Sequence, residues 1–99
     1  MAAEPRIDGF LGGRLRIAQP AGGYRAGADA VMLAAACPAE AGQSVLELGC
    51  GAGVALLCLG ARVPGLDLTG LELQEPYAAL ARDNAAAMQR DMDEMERTY

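Results

Sequence analysis

Apolar and polar residues alternate near the start of the chain, which predicts a β-hairpin. After Gly12 and Gly13, a pair that suits a two-residue hairpin turn, Leu15 and Ile17 alternate with arginines. The pattern predicts a hairpin over residues 7–17. The hairpin is ended by residues 19–23, which include a proline and two glycines.

A helix is predicted next, over residues 30–37. Asp29 is a candidate N-cap, and Pro38 ends helical structure at the residue before it. This helix is predicted to bury Val31, Leu33 and Ala34.

The central segment predicts a strand, a glycine turn, a helix and a second strand. Residues 45–48 are mostly apolar and predict a short buried strand, and residues 52–61 predict an apolar helix after the turn. Residues 66–73 predict the second strand, with Glu72 near its end. Strands joined through a helix are parallel neighbours with a right-handed crossover. Glu72 is therefore expected beside the glycine turn, at the carboxyl ends of both strands.

Pro76 occupies a favoured first-turn position and begins the last predicted helix. One face of this helix has four residues at helical spacing: Tyr77, Leu80, Ala81 and Asn84. Three methionines form a later stripe: Met88, Met92 and Met95. We interpret the stripe as the end of an ordinary amphipathic helix, with a partner-binding helix as the alternative.

Composition and charge narrow the possible functions. The net charge of −5 argues against a broad nucleic-acid footprint, although it leaves room for a local basic edge. The three cysteines (Cys37, Cys50 and Cys58) lack C-x-x-C spacing, and there is no histidine, which argues against a zinc site, a Cys–His nucleophile and a disulfide framework. No segment predicts a signal peptide or a membrane span, so we expect a cytoplasmic location.

The glycine turn has the pattern G-x-G-x-G, formed by Gly49, Gly51 and Gly53. The dinucleotide fingerprint is G-x-G-x-x-G, and Val54 occupies the place of its third glycine. A nicotinamide-dependent oxidoreductase is therefore disfavoured. A carboxylate about 20 residues past such a loop can accept hydrogen bonds from ribose hydroxyls, which is the role expected of Glu72. The alternatives are a turn that binds nothing and a solvated glutamate.

Two motifs carry a resemblance to a known family. Glu47 stands two positions before Gly49, and this arrangement resembles motif I of the class I S-adenosylmethionine-dependent methyltransferases. Residues 23–31 have the sequence Gly-Tyr-Arg-Ala-Gly-Ala-Asp-Ala-Val, and residues 8–15 have Asp-Gly-Phe-Leu-Gly-Gly-Arg-Leu. Together these blocks resemble the bacterial tRNA adenine-N6 methyltransferases that act on a valine tRNA, within the methyltransferase small domain group. The resemblance covers residues 6–87.

The resemblance implies an α/β fold that is the N-terminal part of a Rossmann-like methyltransferase: β-hairpin, helix, then β-α-β-α with parallel strands. Residues 1–22 are expected to form the hairpin and residues 23–99 a partial S-adenosylmethionine-binding domain. Family-implied partners are S-adenosylmethionine as cofactor and tRNA as substrate, with no metal. The implied cofactor contacts are Arg25, Asp29, Glu47, Gly49, Cys50, Gly51, Gly53, Glu72 and Leu73. For Arg25 the alternative is a surface ion pair, and for Asp29 a helix cap.

The sequence also departs from the family pattern. It has no Asn-Pro-Pro run, the signature that binds the target amino group in the family. Asn84 is followed by two alanines in a predicted helix, so it is no substitute and no catalytic residue is assigned. We therefore expect a truncated chain, or a domain that needs self-association or a missing C-terminal half. The alternative function is a non-catalytic scaffold module that associates through its C-terminal helix.

Overall fold

The structure, a computed structural model, describes residues 4–98, with side chains described through residue 94. Its elements are β1 (Arg6–Phe10), β2 (Leu15–Gln19), α1 (Ala28–Ala36), β3 (Ser44–Leu48), α2 (Val54–Arg62), β4 (Asp67–Leu71) and α3 (Glu75–Thr98). Within these residues the chain is an α/β protein with two two-stranded sheets and three helices. The predicted order of elements is confirmed.

The hairpin is confirmed, but its turn is longer than predicted. Phe10 pairs with Leu15 at the end of the antiparallel ladder, so four residues connect the strands rather than two. Leu11 begins the left-handed stretch with φ 55°, ahead of Gly12 and Gly13 at 68° and 84°. The two-residue prediction was wrong because a leucine adopts a conformation that glycine and asparagine usually occupy.

One hydrophobic core joins the hairpin to the helices. Ile17 of β2 is fully buried, and Phe10 and Leu15 lie beside it. α2 is buried along most of its length because it packs against α1, β2 and β4. The hairpin and α2 therefore share one apolar interior and stabilise each other through its burial.

α1 begins two residues earlier than predicted. Gly27 occupies the N-cap position, and Asp29 lies in the first turn, where its Oδ1 accepts the Gly27 N–H at 3.1 Å. The N-cap assignment was therefore wrong. Ala30 and Ala34 form the buried face, whereas Leu33 is 60% exposed, contrary to prediction. At this contact α1 meets α2 with alanines, and Leu33 projects to one side.

β3 and β4 pair in parallel, as predicted, with Val45 opposite Leu68. Only one face of this small sheet is covered within the described residues. Val45 and Leu68 pack against the core. The strand residues that point the other way are exposed: Leu46 by 56%, Leu48 by 73% and Leu71 by 54%. The prediction of a buried strand was wrong, because parallel strands are buried only where helices cover both faces.

α3 begins one residue before Pro76 and continues without a break to Thr98. Met88 and Met92 are half-buried and line a groove of about 410 Å³ between α3 and the α2–β4 unit. The side chain of Met95, the third member of the predicted stripe, lies outside the described residues. Among residues 4–98, none of the helices has the length and apolar character needed to cross a membrane.

Candidate ligand-binding site

The glycine loop between β3 and α2 folds back over the end of β4. The N–H groups of Gly49 and Cys50 both donate to the Leu71 carbonyl, at 2.7 and 3.1 Å. Gly49, Gly51 and Gly53 have φ values of 74°, 58° and 93°, a region that strains other residues. A β-carbon at Gly49 or Gly51 would meet nothing within 4 Å. The loop therefore presents bare backbone to open space.

Glu72 follows β4 directly, and its carboxylate reaches the glycine loop. Oε1 accepts the Gly51 N–H and Oε2 accepts the Gln74 N–H, both at 2.9 Å. Both bonds lower the pKa of Glu72, and the bond from Gln74 has the larger effect. Each carboxylate oxygen has two lone pairs, so each retains acceptor capacity for a further donor. Glu72 thus lies on the loop side of the sheet, as a ribose-binding role requires.

Glu47 occupies the half-buried face of β3, near the N-terminus of α2. Its Oε1 is buried and has no hydrogen-bond partner. Burial raises the pKa of Glu47, and a bond from the Leu56 N–H opposes that shift. A buried carboxylate oxygen without a partner is costly unless a cation or donor group reaches it. The N–H of Gly51 in the loop donates to Glu72, so the unpaired Glu47 oxygen stays open to a ligand.

These groups surround one cavity of about 360 Å³. It brings together six of the nine predicted contact residues: Asp29, Glu47, Gly49, Cys50, Gly51 and Glu72. The other three do not line it. Arg25 is engaged with the hairpin, Gly53 is buried against Leu57, and Leu73 is 98% exposed. Their cofactor contacts stay predictions.

Arg25 is held by an ion pair with Asp8 of β1. Its Nη2 lies 2.7 Å from both oxygens of that carboxylate, and this contact lowers the pKa of Asp8. Gln19 is buried beside the pair. Its Nε2 donates to Asp8 at 3.0 Å and to the Ala26 carbonyl at 3.1 Å, while its Oε1 accepts the Ala26 N–H at 2.9 Å. In this structure Arg25 therefore matches the ion-pair alternative, and it fixes the segment that walls the cavity.

Two tyrosines that the sequence interpretation did not assign to the site also line the cavity. The Tyr24 hydroxyl donates to Asp29 Oδ2 at 3.3 Å, and the Tyr77 hydroxyl donates to the Tyr24 carbonyl at 3.1 Å. The chain has three tyrosines in all. Tyrosine is rare in this chain, and Tyr24 lies within the motif of residues 23–31. Together these two facts could have indicated Tyr24 as a site residue.

Asn84 ties the rear of the site together. It is buried in α3, and its Oδ1 accepts the Ala18 N–H at 2.9 Å. Its Nδ2 donates to the carbonyls of Ala18 and Ala52, both at 3.0 Å. One side chain therefore connects α3 to β2 and to the glycine loop. These three bonds are structural contacts within the fold.

The charged side chains that line the cavity are all acidic among the residues that the structure describes. Three carboxylates line it (Asp29, Glu47 and Glu72), and no arginine does, among the lining residues that the structure describes. Such a lining favours a ligand with cationic and hydroxyl groups over one with phosphates. Across the described part of the chain, no group of three potential ligand side chains is placed to hold a metal ion.

Cys50 packs over Gly70, and this contact predicts an effect of substitution. A β-carbon on Gly70 would lie 2.6 Å from the Cys50 Sγ and 3.0 Å from its Cβ. Gly70→Ala is expected to lower the free energy of unfolding by roughly 1–3 kcal/mol, because the loop must shift. Gly9→Ala is the control, since its β-carbon meets nothing closer than 3.8 Å. Urea unfolding measures both, and adding Cys50→Ala to Gly70→Ala should restore part of the loss. Equal effects of the two glycine substitutions would contradict the expectation.

Comparison with known proteins finds tRNA adenine-N6 methyltransferases among the relatives of this chain. A tRNA1(Val) (adenine(37)-N6)-methyltransferase of Yersinia enterocolitica is 34% identical over 82 residues, which are 82% of this chain and 33% of the relative. Proteins of the same name from Serratia proteamaculans and Klebsiella pneumoniae are each 35% identical. Their matches cover 81% and 86% of this chain and 31% and 35% of those proteins.

The chain resembles part of a tRNA adenine-N6 methyltransferase. It spans about a third of the length of the curated relatives that it matches. This finding confirms the resemblance noted from the motif blocks. No protein-family model matches the chain.

Proposed function

We propose that this chain is the S-adenosylmethionine-binding part of a methyltransferase whose reaction is methyl transfer to adenine N6 of tRNA. The observation that carries the proposal is the meeting of Glu72 with the Gly51 N–H beside the unpaired Glu47 oxygen, around one cavity. In this proposal β3, α2, β4 and α3 are the first half of a Rossmann-like unit. The hairpin also contributes, because Gln19 lines the cavity.

The residues present fit this cofactor chemically. S-adenosylmethionine supplies a methyl group on a positively charged sulfonium, and it also carries an ammonium group and two ribose hydroxyls. The unpaired Glu47 oxygen suits the ammonium, and the remaining lone pairs of Glu72 suit the hydroxyls. A cavity of about 360 Å³ falls within the range typical of small-molecule sites. The lack of a lining cation disfavours the pyrophosphate of a nicotinamide cofactor.

The contribution of these residues to catalysis is positioning. The loop and the two glutamates orient the donor, and a correctly oriented methyl group needs no further activation by the protein. An adenine acted on in this way leaves its stack to reach the cavity. The sequence contains no Asn-Pro-Pro run, so contacts to the adenine amino group are not assigned to any residue of this chain.

The proposal is tested by calorimetric titration of the chain with S-adenosylhomocysteine, using Glu47→Gln. We expect saturable binding by the wild type and roughly tenfold weaker binding by the variant, because a charged hydrogen bond to the amino group is lost. No heat with well-folded wild-type protein would contradict the proposed function. Glu40→Gln, at an exposed carboxyl, is the control.

Glu47→Gln, which is expected to weaken ligand binding, is also expected to stabilise the ligand-free fold. The pKa of Glu47 is raised in the folded chain, so the ionised carboxylate destabilises the fold as the pH rises through that range. Removing the charge should therefore raise the Tm of the ligand-free chain at pH 7 and leave it unchanged at a pH where Glu47 is protonated. A lower Tm at pH 7 would show that Glu47 is a structural residue.

The non-catalytic scaffold remains the second candidate, and one observation favours association of some kind. Leu46, Leu48 and Leu71 leave one face of the parallel sheet apolar and exposed. Such a face promotes association between chains. The scaffold function would be supported by an oligomer in sedimentation velocity together with no binding of S-adenosylhomocysteine.

A further inference from the structure

Charge is divided unevenly along the chain. Residues 1–27 contain four arginines and two acidic residues, whereas residues 28–99 contain four arginines and eleven acidic residues. The hairpin is therefore the basic part of an otherwise acidic protein. Net charge conceals this division, because the whole chain carries −5.

Two exposed arginines of the hairpin, Arg14 and Arg16, make no ion pair within the described residues. Arg16 is exposed between the buried Leu15 and Ile17, so it lies on the outward face of β2. Arg14 is exposed in the turn. Asp8, the one acidic residue in the two strands, is partly buried and is neutralised by Arg25.

The hairpin tip is also open to a large partner. A β-carbon at Gly12 or Gly13 would meet nothing within 4 Å, and Gly9, which pairs with Arg16, carries no side chain. We define the basic hairpin face as Gly9, Gly12, Gly13, Arg14 and Arg16. This face carries positive charge and has few bulky side chains, so an extended polyanion can approach both guanidinium groups together.

We propose that the basic hairpin face binds the phosphate backbone of the RNA substrate. This inference rests on the proposed function and adds to it the surface by which the RNA is held. β2 leads from this face to Gln19, which lines the cavity. At about 3.3 Å per strand residue, Arg16 and Arg14 lie roughly 10 and 17 Å along the strand from Gln19. Phosphates bound there belong to nucleotides that flank the base presented to the cavity.

The chemistry of this face favours RNA over a lipid surface. A helix or strand that binds membranes pairs its basic residues with a broad apolar face. The outward face of the hairpin strands has a single large apolar residue, Ile7. The acidic residues of α3 repel polyanions elsewhere, so they direct an approaching RNA toward the hairpin.

The experiment measures binding of an unmodified valine tRNA transcript to the 99-residue chain by fluorescence anisotropy at several salt concentrations. Arg14→Gln/Arg16→Gln removes two charges from the face. Arg82→Gln/Arg90→Gln removes two from α3 and controls for net charge alone, since Arg82 is paired with Glu75 in the wild type. We expect about tenfold weaker binding for the hairpin variant at low salt. We also expect its slope of log affinity against log salt to fall by about 1.4, since each phosphate on a single strand contributes about 0.7. The control should retain the slope of the wild type.

Equal losses in the two double variants, an unchanged slope, or no RNA binding by the wild type would each overturn the inference. Binding to phosphatidylserine vesicles in place of RNA, with the same arginine dependence, would also overturn it. Titration of the same samples with S-adenosylhomocysteine separates this inference from the proposed function. Cofactor binding without hairpin-dependent RNA binding removes only the inference, whereas the reverse result removes only the cofactor assignment.

Discussion

Asn84→Ala is expected to lower the free energy of unfolding by about 3 kcal/mol, because it leaves buried backbone groups of Ala18 and Ala52 without partners. For a domain of this size that loss corresponds to a fall in Tm of roughly 12–24 °C. Thermal unfolding followed by circular dichroism measures it. Gln89→Ala is the control, since Gln89 is exposed on the same helix and donates to Asp93, and it should change stability by less than about 0.5 kcal/mol.

Asn84→Asp separates the hydrogen bonds from simple packing. It keeps the shape of the side chain and the acceptor for the Ala18 N–H, but it places an oxygen against two carbonyls. At neutral pH it should be at least as destabilising as alanine, and it should recover in part at low pH, where a protonated carboxyl can donate to one of those carbonyls. If both variants unfold at the temperature of the wild type, Asn84 does not hold the site together.

Glu72→Ala is expected to weaken binding of S-adenosylhomocysteine by roughly 100-fold, since it removes two acceptors and frees the Gly51 N–H at once. Glu72→Gln retains one acceptor for the loop and should give an intermediate affinity. Glu75→Ala, three residues further on at an exposed position, is the matched control. Calorimetric titration measures all three variants.

The order of affinities distinguishes a direct contact from a general effect on folding. Wild type and Glu75→Ala should bind equally, Glu72→Gln less well and Glu72→Ala least. Without ligand, Glu72→Ala should unfold at a somewhat lower temperature, because the Gly51 and Gln74 N–H groups lose their acceptor. The titrations are therefore compared at a temperature where all the variants are folded. Equal affinity of Glu72→Ala and the wild type would contradict the proposed contact between Glu72 and the ribose hydroxyls of the cofactor.

Sequence patterns predicted the order of elements and the parallel pairing because both follow from local periodicity and short connections. They did not predict the length of the hairpin turn, since nothing local indicates the left-handed conformation of Leu11. The prediction that Leu33 and Leu48 are buried was also wrong. Apolar character indicates which residues prefer the interior, whereas the number of helices that cover a sheet face decides which are buried.

Within the candidate site, the residues of the glycine loop and its two glutamates were predictable because they are adjacent in sequence or at strand ends. The partner of Arg25 could not be identified from local pattern, because Asp8 lies seventeen residues earlier. The same holds for Asn84, whose partner Ala18 is 66 residues away. Contacts at such separations depend on tertiary packing, which a single sequence does not specify.

The bonds of Ala18 and Gln19 link the two walls of the cavity. Ala18 is connected through Asn84 to the glycine loop on one wall. Its neighbour Gln19 bonds to Ala26, in the segment that contains Tyr24, on the other wall. An opening movement of either wall is therefore transmitted to the other through β2. The hairpin is therefore a common support for both sides of the pocket, and loss of either set of bonds would loosen the other side as well.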